Sequence, residues 1–367
     1  MKNTGKMGKK IFIGFAVILF CVNAYAQSPK YSNEFLAIGI GARALGMSNS
    51  VVCISDDVTS GYWNPAGLTH IKSNLQLGLM HSEYFAGIAK FDYGALAAKL
   101  DDRSVGAFSF VRFGVDDIPN TTELIDAEGN IDYDRITTFS AADYAFIFSY
   151  GRKMNDALRV GINVKIIHRK VGDFARAWGF GLDVGFQYSH NEWQFGATGR
   201  DITSTFNAWS FDLPEKMKEV FTITGNEIPS NSLEITLPKL ILSAGRKFKL
   251  SPNFNIMPVL DIDVTFDGKR NVLIKSDPVS ADPHLGLELS FKDIIFLRGG
   301  IGNIQQETDM TGKKITTFQP NMGLGIQIKN TVEIDYAFTD IGDNSITVYS
   351  NIFSLRFNIN KKETGTN

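Results

Sequence analysis

The chain has 367 residues, a formal net charge of −2, 28 Phe, 34 Gly, 11 Pro and only two cysteines. Near-neutral charge gives no global field for nucleic acid or an anionic surface, and so few cysteines exclude a disulfide framework or a Cys-rich metal site. Many Gly and Phe with few Pro suit numerous short strands better than a helical protein, and the length allows two average domains or one large barrel.

The N-terminus carries Lys2, Lys6, Lys9 and Lys10, then the apolar run Ile11–Val22, then Ala24-Tyr25-Ala26. That is the order of a secretory signal, so residues 1–26 read as a cleaved signal peptide, leaving Cys53 as the single thiol. The run is too short to span a bilayer, and no later stretch reaches the ~18 apolar residues of a membrane helix. A membrane location therefore requires strands.

Residues 27–73 show neither long alternation nor a helical stripe. They hold Gly39, Gly41 and Gly46, the acidic pair Asp56-Asp57, and Trp63-Asn64-Pro65-Ala66-Gly67. The segment reads as irregular or short-helical, ahead of a strand domain over 74–358 and a polar tail at 359–367.

The pattern that repeats from residue 74 is clearest in Trp178–Ser189. Its even positions Trp178, Phe180, Leu182, Val184, Phe186 and Tyr188 are apolar, and its odd positions Gly179, Gly181, Asp183, Gly185, Gln187 and Ser189 are polar or bare. Successive strand side chains point to opposite faces, so one face is greasy with aromatics at both ends. A soluble sheet and a membrane barrel both produce this alternation; number and connection of strands decide between them. Fourteen candidates follow, at 74–84, 88–100, 103–113, 139–152, 157–169, 177–189, 191–200, 234–247, 253–266, 284–291, 293–301, 317–328, 331–340 and 350–358.

Joins after even-numbered strands are short, as at Asp101-Asp102, Lys153–Asp156 and Lys329-Asn330. Joins after odd-numbered strands, 114–138, 170–176, 201–233, 267–283, 302–316 and 341–349, read as longer, apart from the first near Ala86-Gly87. Short turns on one side and long loops on the other predict an all-β, transmembrane, antiparallel up-and-down barrel, with both chain ends on the periplasmic side of a bacterial outer membrane. A bore of this width can take a plug.

At Phe35–Leu68 the sequence reads FLAIGIGARALGMSNSVVCISDDVTSGYWNPAGL. Through Gly41-Ala42-Arg43-Ala44-Leu45-Gly46-Met47, Asp56-Asp57 and Trp63-Asn64-Pro65-Ala66-Gly67-Leu68 it resembles the opening of the PorV/PorQ outer-membrane family, itself similar to FadL-type fatty acid transporters. The resemblance implies a fourteen-stranded barrel with an inward-folded N-terminal hatch, a Bacteroidota source and a link to the type IX secretion system.

Within the hatch, Gly41, Arg43, Gly46, Asp56, Asp57, Trp63, Asn64 and Pro65 are the candidate site residues. Arg43, Asp56 and Asp57 either pair with inward charges such as Asp183, Asp261, Asp263, Glu333, Asp335, Lys165 or Arg356, or stand separately solvated. Asn64-Pro65 predicts a turn, since the residue before proline leaves the helical region. In the 201–233 loop, Pro214–Phe221 predicts a short helix. Around it Phe206, Trp209, Phe211 and Phe221 form a partner surface or lid, or else pack on their own rim.

No catalytic constellation, metal spacing or cofactor fingerprint stands out, so a non-enzymatic barrel is expected, without cofactor. Its expected partners are outer-membrane lipid and secretion-system proteins or secreted cargo, and no nucleic acid. The alternative is a FadL-like channel for a hydrophobic small molecule, which needs a continuous apolar passage beside the hatch.

Overall fold

The computed structural model describes residues 32–85, 87–124, 130–308, 312–339 and 350–360. The predicted signal segment, the predicted 341–349 loop and most of the predicted polar tail lie outside these. Fourteen antiparallel strands form the wall: β1 (Leu75–Tyr84), β2 (Ala89–Lys99), β3 (Ser104–Asn120), β4 (Thr137–Lys153), β5 (Leu158–Val171), β6 (Ala175–His190), β7 (Trp193–Arg200, resuming at Phe206–Phe211), β8 (Ser232–Ile235, Lys239–Arg246 and Phe248–Ser251), β9 (Phe254–Thr265), β10 (Ser280–Phe291), β11 (Ile295–Thr308), β12 (Lys314–Ile328), β13 (Val332–Thr339) and β14 (Ser350–Ile359). Each wall strand pairs with the next, and β14 pairs with β1 from Leu75↔Ile359 to Glu83↔Asn351. The sheet thus closes on itself and leaves no free edge, which is what lets strands lie in lipid. Among the described residues no helix is long and apolar enough to cross a membrane.

Alternation sets which face each side chain takes. On β6, Trp178 and Phe186 point outward and are about half exposed, while Asp183 and Gln187 point inward and are buried. The same division holds on β12, where Phe318, Met322 and Leu324 are exposed and Asn321 is buried. Tight turns join strands at one end of the barrel; after β6 the turn is Asn191-Glu192, with Asn191 at φ 53°.

The loops at the other end are shorter than the sequence predicts, because strands run on past the expected boundaries. β5 and β6 continue to Val171 and Ala175, so the predicted 170–176 loop shrinks to three residues. β3 and β4 pair out to Asn120 and Thr137, and β11 and β12 out to Thr308 and Lys314. Cross-strand hydrogen bonds there replace the loop that weak apolar alternation suggests.

The predicted 201–233 loop is partly wall, and 212–231 remain a long loop. Residues 201–205 bulge out of the ladder, after which Phe206–Phe211 rejoins β6 and Ser232–Ile235 pairs back onto it. A nine-residue helix, α3 (Glu215–Ile223), lies in the remaining loop with Pro214 as its N-cap.

Candidate functional site

The lumen is filled from the N-terminal side. Residues 32–71 fold into a 3-10 turn at Glu34–Leu36, helix α1 (Ala42–Gly46), helix α2 (Ser60–Trp63) and a second 3-10 helix at Pro65–His70. Ile40, Met47, Val52, Val58 and Leu68 are wholly buried, and so form an apolar kernel inside a polar bore.

Local chemistry sets the path. Gly41, at φ 84°, starts α1, and its N–H reaches the Met80 sulfur at 2.9 Å. Only glycine adopts that backbone without strain. Asn64 caps the second 3-10 helix by accepting from the Ala66 N–H, with Pro65 at the first helical position. Its amide also donates to Val52 O at 3.1 Å and Phe186 O at 3.0 Å, so one side chain ends a turn and ties the plug to β6. Trp63 Nε1 donates to Ile40 O at 3.0 Å, and the Arg200 guanidinium lies over the Tyr62 and Trp63 rings.

Charge links the plug to β10, β11, β13 and β14. Arg43 binds Asp56 at 2.7 Å and Glu288 at 3.0 Å. Glu288 also takes Arg298 at 2.7 Å, and Arg298 bridges to Asp335 and Glu333. Arg356 closes the chain of ions by binding Glu333 and Asp57. Burial opposes ionisation of Asp57, but Arg356 and Arg43 outweigh it and hold its carboxyl below the usual range. Burial opposes the Arg43 charge too, and Glu288, Asp56 and Asp57 raise it above the ordinary arginine value. The sequence offered Arg356, Glu333 and Asp335 as wall charges but missed Glu288 and Arg298. Both sit on strands that the sequence reads as short, 284–291 and 293–301, where alternation alone marks them as inward.

Other wall charges named from sequence serve differently. Asp261 accepts from the Val51 and Val52 N–H groups, and Asp263 pairs with Lys239 at 2.8 Å. Lys165 is buried between Asp183 at 2.7 Å and Asp201 at 2.5 Å, where the 201–205 bulge carries Asp201 inward. This triad braces the wall at the bulge.

Along β5 to β8 the plug is held without ion pairs. Gln187 Nε2 donates to Val52 O and Ser55 O at 3.1 and 2.9 Å, and Ser243 accepts from the Cys53 N–H at 3.0 Å. Burial pushes the Cys53 thiol up to about 12, which makes it inert. Inward glycines provide the seats. A Cβ on Gly161 would stand 2.4 Å from Pro65 C, and one on Gly300 across the bore 2.3 Å from Met47 C. Gly46 of α1 packs against Gly323, where a Cβ would come within 2.9 Å of the opposing Cα.

The plug divides the remaining space. A chamber of about 530 Å3 towards the long loops is lined by Arg200, Lys239, Asp263, Asp282, His284 and other polar groups. One of about 290 Å3 towards the short turns is lined by Arg43, Asp56, Lys247, Glu288 and Arg356 among others. Spaces beside the plug are far smaller, about 90 Å3 near Tyr62 and Pro238 and about 40 Å3 near Met80.

The four loop aromatics do not share one surface. Phe206 faces outward beside Phe180, whereas Trp209, on the face of buried Ala177, donates to Glu234 at 2.7 Å and stacks with Phe211 at 5.9 Å. Phe221 lies on α3 and is half-buried. Among the described residues no cluster of three or more His, Cys, Asp or Glu could hold a metal.

The wall and plug resemble hydrocarbon transporters in architecture. The Pseudomonas putida toluene transporter TodX aligns at TM-score 0.56 and 13% identity over 88% of this chain and 99% of that one. The Ralstonia pickettii toluene transporter TbuX aligns at 0.54 and 12%, over 88% and 98%. A Pseudomonas aeruginosa FadL homologue aligns at 0.50 and 10%, over 87% and 98%. At such identities the likeness speaks for the fold alone. No curated protein matches the sequence. The family model for type IX secretion system protein PorV matches residues 27–256. With more than half its length matched, from the plug through the first wall strands to β9, this outer-membrane barrel belongs to the PorV family.

Proposed function

We propose that the protein is a non-enzymatic component of type IX secretion, docking secreted cargo or the translocon at the outer membrane through its long-loop end. The observation that carries this is the obstructed bore. Its two sizeable chambers are lined largely by charged and amide side chains, and what lies between them is plug packed against wall.

A hydrophobic solute needs a continuous apolar passage, and the spaces of about 90 and 40 Å3 beside the plug fall below the ~300 Å3 of an ordinary small-molecule pocket. What remains for binding is the rim. Strand hairpins standing above the greasy belt, and α3 with its exposed Ile223, present backbone edges and apolar side chains to a protein partner. In this arrangement the short turns and both mature ends face the periplasm, and the long loops face outward.

Affinity isolation of the tagged barrel from detergent-solubilised outer membrane, with identification of co-purifying proteins, tests the reading. Recovery of translocon or secreted cargo, reduced at least tenfold when residues 215–223 are deleted, is the expected result. Recovery of the barrel alone with bound fatty acid overturns it and favours hydrophobic uptake.

A further inference from the structure

One face of the wall breaks the rule that lipid-facing side chains are apolar. Reading across neighbouring strands, His81, Asp92, Arg112, Tyr144, His168 and Trp178 form one outward row from β1 to β6. On β4 to β6 the row is aromatic, with His168 stacked on Trp178 at 4.2 Å and on Tyr144 at 6.1 Å. Beyond it lie exposed Lys170 and Arg176, so these rings mark the upper border of the greasy belt.

The row is not level. Strands ~4.8 Å apart and tilted ~40° make it climb ~3 Å per strand. His81 is seventh from the short-turn end of β1 and Trp178 thirteenth from that end of β6, which fixes the direction. His81 and Asp92 thus lie ~12–15 Å below the border that Trp178 sets, at hydrocarbon depth.

Two residues further along β1 and β2 stand Glu83 and Lys90; within the chain His81 pairs with Asp92 at 2.7 Å and Lys90 with Asp116 at 3.6 Å, yet all four stay substantially exposed. Inside the wall at this place the polarity is reversed, with Phe91 fully buried and packed on Phe113 at 5.9 Å and Tyr84 at 6.2 Å.

We propose that this outer face of β1 to β3 is covered by a second copy of the chain, related by a two-fold axis along the membrane normal between β1 and β2. The signs fit such an axis. His81 on β1 is the cross-strand partner of Asp92 on β2, and Glu83 on β1 of Lys90 on β2, each pair one ~3 Å step apart in height. The axis sets β1 against the copy's β2, so each acid meets a base within ~3 Å of its own height, and each contact is repeated reciprocally. Mixed signs without cationic excess do not suit anionic lipid headgroups. Exposed Leu79, Leu96 and Phe108 below the charges supply the apolar remainder of the contact. The proposal is independent of the secretion reading.

In native outer membranes, Leu79→Cys treated with a short bis-maleimide should yield a product of twice the chain mass, and Leu260→Cys on β9 should not. Cys53 is buried and silent. In the Leu79→Cys background, E83K alone and K90E alone should each reduce the product at least tenfold. Co-expressing the two with different tags should restore it as a mixed dimer, because opposite charges then face each other at both contacts. Heat-modifiable migration of each variant reports that the barrel has folded. Absence of the double-mass product from a folded barrel, a product with a protein of another mass, or failure of the mixed pair to recover overturns the proposal.

Discussion

On the β10 to β14 side the plug meets the wall through Arg43, Asp57, Glu288, Arg298, Glu333, Asp335 and Arg356, a run of buried ions in which every carboxylate has a guanidinium. Along β5 to β8 the contacts are amide and hydroxyl hydrogen bonds, the Arg200 guanidinium on plug carbonyls and rings, and direct backbone approach at Gly161 and Gly196. The ionic side also seats plug backbone, at Gly300 and Gly323, but it is the side that responds to protonation. The glycine side has no ion pair to the plug and admits no added atoms at Gly161 and Gly196. One plug is thus gripped by a chemical contact and a steric one, and each can be broken separately.

The steric grip should fail most severely. Gly161→Leu, or Gly300→Leu at the corresponding close approach on β11, places side-chain atoms where plug backbone stands. We expect expulsion of the plug and a persistent ion conductance in planar bilayers where the parent barrel is closed. A closed Gly161→Leu channel would refute the seating role. Next comes Arg298→Leu, which leaves Glu288 and Asp335 without their shared cation. Breaking such a buried set costs about 3–5 kcal/mol, read as a lowered unfolding midpoint in detergent.

Asp57 sharpens the contrast through pH. Its carboxyl is lowered in the fold, so its contribution is complete above the ordinary value of 3.8 and is lost as pH falls through the lowered folded value. Asp57→Asn should flatten that acid limb in a pH series of unfolding midpoints and leave the Gln187 side unaffected. Smallest is Asn64→Ala, which removes a cap and one tie to β6 for about 1–2 kcal/mol, with no pH dependence.

Most of the architecture was legible because period-two alternation in Trp178–Ser189 and Lys314–Ile328 is imposed by lipid outside and polar groups inside. The strand extensions were not, because Val115–Asn120 and Gly302–Thr308 stand clear of the belt and carry no alternation to read. The plug residues stood out as a motif, and Arg356 was among the partners offered for Asp57, but Glu288, the wall partner of Arg43, was not. Gly161 and Gly300 look like an empty lumen in sequence, since a bare inner face reads the same whether it borders water or another backbone. The depth of Arg112 and Asp92 was not legible, because depth in the membrane depends on tilt, which sequence does not carry.

The last wall strand holds both the seam and the latch. β14 closes the cylinder against β1, and it also supplies Arg356 to Asp57 and Ser354 Oγ to the Ala42 N–H at 2.7 Å. The stopper is therefore synthesised first and its bolt last, and one strand both closes the cylinder and latches the stopper. A chain halted before Ser350 would lack the seam to β1 and the Arg356 and Ser354 ties to the stopper at once, so a single truncation tests closure and latching together.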